Sequence, residues 1–182
     1  RLDPKPLLLS SILAKKKAEG AGYVIIDIPV GRSAKIEKIE DGRALAKEFE
    51  KLGAHLGMKV ECILSDGSAP LINGIGPALE AREVLETLEQ KKQNMLMEKS
   101  CRMAGIILQM VRGVGKEEGY RLAVQQVMSG RALEKLQEII AEQGGRPVKS
   151  QDVKLGRLRA VVKAEEGGKI SHVDNKAVSR VC

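Results

Sequence analysis

Two short apolar runs, GYVIIDIPVG and KVECILSDG, flank a single helical pattern, and that order restricts the fold more than any other feature of the chain. The first run is rich in β-branched residues, as expected of a buried strand. The second reads as another strand. Between them, around residues 40 to 56, Leu45, Phe49 and Leu52 fall on one face of a helix. Strand, helix, strand is a βαβ unit with parallel strands and a right-handed crossover. The expected fold class is therefore α/β, with a βαβ-containing, helix-rich domain.

Upstream, LLLSSILAKKKAEG places Leu8, Ile12 and Leu13 at helical spacing, and Gly20 with Gly22 supplies a C-terminal stop. After the second run, DGSAPLINGIGPALEAREVLETLEQ begins as a glycine-rich loop and becomes a helix near Pro77, an allowed first-turn position. Further helices are expected at about 94 to 111, 116 to 128 and 130 to 143, the last two broken at Gly130. QGGRPVKSQDV reads as a linker. Beyond it RLRAVVKAEE, GGKISHVD and NKAVSRV read as short strands joined by turns. The shift from helical to β character near residue 150 marks a boundary, and the remainder is too short for a stable domain alone. The expected organisation is a helical end at 1–22, an α/β part at 23–147 and the start of a small α+β carboxyl-terminal domain at 148–182. No internal repeat appears. The chain opens on Arg1, and a candidate strand runs almost to Cys182, so both ends read as cut.

Composition narrows the function classes. A formal charge of +7 fits nucleic acid, phosphorylated metabolites or plain solubility equally well. The only aromatic residues are Tyr23, Phe49 and Tyr120, scattered along the chain, so no stacking platform for single-stranded nucleic acid exists. Most charges alternate in sign, as in EKIEDGRALAKEFEK, the pattern of a solvated surface. No apolar run approaches the length of a membrane span, and no signal peptide is present, which points to a soluble, cytoplasmic protein. Cys62, Cys101 and Cys182 form no close pair, and His55 and His172 lack metal-ligand spacing. No metal or cofactor is expected.

In doubly wound sheets, ligands bind beyond the carboxyl ends of the strands. The predicted strands end at Val30 and Asp66, followed by GRSAK and DGSAPLING. The first loop carries Gly31 and Lys35 but lacks the Gly-Lys-Ser/Thr ending of a nucleotide P-loop, which excludes NTP hydrolysis of that kind. Ser11 and Lys15, four residues apart, share a helix face where a hydroxyl and an ammonium could hold one ligand edge. Spacing alone favours the plainer reading, a small helix residue and a basic end favoured by the helix dipole. Asp3 before Pro4 is a natural helix cap, and as a buried carboxyl it could instead donate a proton. Lys35 fits a surface lysine, and Asp66 with Gly67 a strand-end turn.

Four ordered stretches, SSILAKKKAEG, VIIDIPVGRSAK, LSDGSAPLINGIGPALEAREVLETL and SGRALEKLQEIIAEQGG, resemble the thymidine and pyrimidine nucleoside phosphorylase family. DIPVGRSAK and GIGPALEAREVLE look closest to its archaeal AMP phosphorylase branch, and AVVKAEEGGKISHVDNKAVSR is similar to the opening of the family's carboxyl-terminal domain. The resemblance implies phosphorolysis: inorganic phosphate as co-substrate attacks the anomeric carbon of AMP and yields adenine and ribose 1,5-bisphosphate. It places Asp3 as the proton donor, Ser11 and Lys35 as substrate-binding residues, and Lys15 at the lysine that contacts the base in pyrimidine-specific relatives. It also implies a homodimer or higher homo-oligomer for the full-length protein. Two alternatives stay open, a pyrimidine nucleoside phosphorylase and a non-catalytic nucleotide- or RNA-binding module on the same scaffold. Two departures stand out. Ser33 occupies a position where glycine is common in the branch, and the family's upstream serine-rich phosphate-binding stretch is absent from these 182 residues. The isolated chain is accordingly expected to lack turnover.

Overall fold

A computed structural model describes residues 5–181, with side chains from Leu7 onward; Asp3 and its cap role lie outside the described residues. The elements are α1 (Lys5–Ala18), β1 (Tyr23–Val30), α2 (Ile39–His55), β2 (Lys59–Asp66), α3 (Pro77–Gln90), α4 (Met95–Arg112), α5 (Lys116–Met128), α6 (Arg131–Glu142), a 3-10 turn (Ser150–Asp152) and α7 (Asn175–Val181). They divide into two compact units. The first takes the described residues up to Ser68 with Ile106–Lys116, and the second takes Ala69–Gly105 with the chain from Glu117.

The first unit holds the βαβ motif. β1 and β2 pair in parallel from Tyr23 opposite Lys59 to Val30 opposite Asp66, with α2 as the crossover. Leu9 and Leu13 of α1, Val24 and Ile28 of β1, Leu45, Ala46 and Phe49 of α2, and Met58 form one buried cluster. Phe49 and Leu13 are its most deeply buried large side chains. Removing such a ring to alanine costs about 3–5 kcal/mol. Gly42 and Gly53 let α2 lie close on the sheet, since a Cβ at Gly53 would sit 2.1 Å from Val60 Cγ2. α1 ends as its sequence predicts: Gly20 adopts φ +78°, its N–H bonds Lys17 O, and the Ala21 N–H bonds Lys16 O. That pair of bonds is a Schellman cap, which turns the chain into β1.

The second unit is helical. Met97, Cys101 and Ala123 are buried together, flanked by Tyr120, Val124 and Val127. α4 and α5 approach until backbones touch, because a Cβ at Gly119 would lie 2.5 Å from Gly105 O. Asn94 caps α4 by accepting the Met97 N–H at 2.9 Å. Gly130, at φ +90°, separates α5 from α6 as its sequence position implies. The passage read as a linker is tied down: Gln137 exchanges two hydrogen bonds with the Val148 backbone, and the Glu89 carboxylate accepts both the N–H and the hydroxyl of Ser150.

The expected strands after residue 156 are corrected. No strand is found there among the described residues, and NKAVSRV is α7 rather than a strand. Leu158 and Val162 are 96% and 97% exposed, so the alternating pattern has no partner edge to pair with. Asp174 starts α7 by accepting the N–H groups of Lys176 and Ala177, each at 3.0 Å. Those bonds outbid an extended conformation for NKAVSRV. Among the described residues, no helix is long and apolar enough to cross a membrane.

Candidate functional site

The carboxyl ends of β1 and β2 meet two loops that interlock. After β1 the chain closes a small loop: Gly31 N–H donates to Ile36 O, Ala34 N–H donates to Gly31 O, both at 3.0 Å, and Val30 bridges Ile36. Lys35 rides on this loop and is exposed. Ser33, beside it, takes φ +67°, a left-handed angle that glycine adopts without steric cost and serine does not. After β2 the Asp66 carboxylate accepts the Ser68 N–H at 2.8 Å, forming an Asx turn. Hydrogen bonds from the Ser68 side chain, and next from its backbone, hold the Asp66 carboxyl below the ordinary carboxylate range. The two loops join through Gly67, whose N–H donates to Val30 O at 2.9 Å. A Cβ at Gly31 would meet Ser68 N at 2.8 Å, so both loops depend on bare backbone where they touch.

Ser11 and Lys15 lie on α1, on the same side of the helix and exposed. Ser11 stands two residues, or about 200° around the helix, from each of the buried Leu9 and Leu13, which turns it away from the core. Four residues join α1 to β1, and Leu9 and Leu13 enter the same buried cluster as Val24 and Ile28, so α1 packs on the βαβ unit. The triple lysine divides as its position suggests, with Lys16 paired to Glu19 at 3.1 Å on the surface. Ser10 donates to Leu7 O within its own helix.

The second unit has a cleft of about 610 Å³ lined by Leu71, Asn73, Arg82, Glu83, Glu86 and Lys92 among others. Leu71 to Gly74 of the second candidate loop line it, whereas Ser11, Lys15 and Lys35 do not. Its charges are matched internally: Glu86 pairs with Arg82 at 2.9 Å and Lys92 at 3.3 Å, and Glu83 accepts the N–H of Gly74 at 2.6 Å. A cleft whose polar groups already satisfy one another offers little to a substrate anion. Among the described residues no cluster of metal-ligating side chains occurs. Burial, then Glu50 and Glu61, pushes the Cys62 thiol up to about 12, and burial raises Cys101 as well. Neither thiol is a nucleophile near neutral pH.

Sequence reading named Lys35 and read Asp66 with Gly67 as a strand-end turn, but did not reveal the approach of Gly67 to Pro29 and Ala34.

No protein-family model matches the chain. Three curated proteins named AMP phosphorylase are similar over 182 residues, which is 99% of the chain: from Thermococcus sibiricus at 44% identity, Methanococcus maripaludis at 44% and Pyrococcus horikoshii at 43%. The chain spans about a third of the length of these relatives, 36% of each. It is thus homologous to archaeal AMP phosphorylase from end to end.

Proposed function

We propose, from that end-to-end homology, that these residues form the base-facing part of a nucleotide phosphorylase acting on AMP and inorganic phosphate. The 44% identity over the whole chain is the observation that carries the reading. In the reaction, a phosphate oxygen forms a bond to the anomeric carbon as the bond from that carbon to the purine nitrogen breaks. The electron pair leaves with adenine, and ribose 1,5-bisphosphate is the second product. Adenine leaves poorly as an anion, so protonation of a ring nitrogen lowers the barrier.

Asp3 is the proton donor in this reading. Ser11 supplies a hydroxyl and Lys35 an ammonium to hold the substrate, and Lys15 lies toward the base. Their elements suit the task. Lys35 stands at the carboxyl end of a parallel strand, where α/β sheets bind ligands, and Ser11 on the helix face turned from the core. Both are exposed, so neither is spent on packing. Orientation of phosphate and sugar, rather than covalent chemistry by the protein, supplies much of the rate. The working protein is proposed to be a cytoplasmic homodimer or higher homo-oligomer. Its turnover is proposed to require residues outside these 182, so that the isolated chain releases no adenine.

The test compares phosphate-dependent base release from AMP and from uridine by the protein expressed from the complete gene. Adenine with one equivalent of ribose 1,5-bisphosphate is the expected result. Preferential release of uracil from uridine would assign the protein to pyrimidine nucleosides instead. Binding of AMP without release of any base would make it a non-catalytic module.

A further inference from the structure

We propose that Gly67 is a positioning residue for Lys35, setting the loop that carries the lysine by packing bare backbone behind Ala34. The inference rests on the reading of Lys35 as a substrate-binding residue. Gly67 is buried, while Lys35 is exposed. A Cβ built on Gly67 would lie 2.9 Å from Pro29 Cβ, 3.0 Å from Ala34 Cβ and 3.1 Å from the Pro29 carbonyl carbon. Carbon atoms rest at about 3.5–4.0 Å, so at least one of these neighbours must give way. Pro29 is held within β1 by the paired sheet. Ala34 lies in the loop from Gly31 to Ile36, outside the paired strands, and it is the neighbour that yields. Lys35 is the next residue, and it moves with Ala34.

The backbone at Gly67 does not itself demand glycine. Positive φ occurs at Gly20, Gly31, Gly57, Gly76, Gly113, Gly130 and Gly144 and not at Gly67. Space alone selects glycine there, which makes alanine a clean probe. The N–H of Gly67 still donates to Val30 O in such a variant, so the turn remains anchored while the loop in front of it is displaced.

The experiment measures KM for AMP and kcat in the protein expressed from the complete gene, for Gly67→Ala, Lys35→Ala, the two combined, and Gly67→Ala with Ala34→Gly. Gly67→Ala is expected to raise KM about tenfold with kcat within about twofold, the signature of lost uniform binding. Combined with Lys35→Ala it should add nothing to the single Lys35→Ala loss, because both act on one group. Ala34→Gly removes one of the clashing carbons and should recover part of the KM. An unchanged KM in folded Gly67→Ala, or losses that multiply in the double variant, would overturn the positioning role while leaving Lys35 in place. An unchanged KM in Lys35→Ala would remove the reading of Lys35, and the positioning role with it. Should Gly67→Ala fail to fold, Gly67→Ala with Ala34→Gly, which removes one of the clashing carbons, supplies the KM comparison with wild type and with its Lys35→Ala combination.

Discussion

Ser33 adopts φ +67° beside Lys35, and its side chain brings steric cost with no hydrogen bond described in return. Ser33→Gly is expected to stabilise the fold by about 0.5–1 kcal/mol, read as a higher midpoint in urea unfolding. An unchanged midpoint would mean that the serine is compensated elsewhere. At the carboxyl end of β2, Asp66 contributes through ionisation. Its folded carboxyl titrates below the ordinary value because Ser68 donates to it, and Glu86 and Asp174 are lowered likewise by their own partners. A depressed folded value means that the unfolded chain binds protons first as pH falls. Their stabilisation is complete above about pH 4, the ordinary carboxylate range, and declines as the pH drops through and below it. Thermal melting between pH 7 and pH 3 should show that decline, and Asp66→Asn should flatten it. Cys62 gives an independent check: with its thiol pushed up to about 12, it should resist maleimide at pH 8 in a Cys101→Ser, Cys182→Ser background and react only once urea unfolds the chain. Fast labelling of the folded protein would contradict the packing around β2.

The elements themselves were largely legible. The strands and α1 through α6 lie close to where the sequence places them, and Gly20 and Gly130 break the helices where their left-handed angles allow it. The tail was misread because RLRAVVK alternates like a strand, yet alternation records only a possible face; pairing needs a neighbour that spacing cannot supply. Asp174, placed to cap α7, was the overlooked signal. The contact of α4 with α5 was also invisible in sequence, since it depends on Gly105 and Gly119 meeting across a helix crossing. Gly119→Ala should cost about 1–3 kcal/mol in urea unfolding, because the new methyl would meet the Gly105 carbonyl. A cost near zero would show that the two helices separate without loss.

At the scale of the whole molecule, each unit has its own buried cluster, and the residues of the proposed site that fall among those described all belong to the first. Composition and spacing could not assign that site: Ser11, Lys15 and Lys35 each had an ordinary surface role available. Their assignment rests on ordered motifs that resemble a family, and it stands as part of the proposed function. The contact of Gly67 with Ala34 was beyond any such reading, because it joins two loops brought together only when β1 and β2 pair. What geometry adds is a reason for Lys35 to be held where it is, at a strand end, by backbone packing. The central claim is that Asp3 delivers the proton to the leaving base. Steady-state rates of phosphate-dependent adenine release from AMP by wild type and Asp3→Asn, expressed from the complete gene and matched in thermal stability, test it most directly. The account predicts a fall in kcat of about 10²-fold or more for Asp3→Asn, whereas an undiminished rate in the folded variant would contradict it.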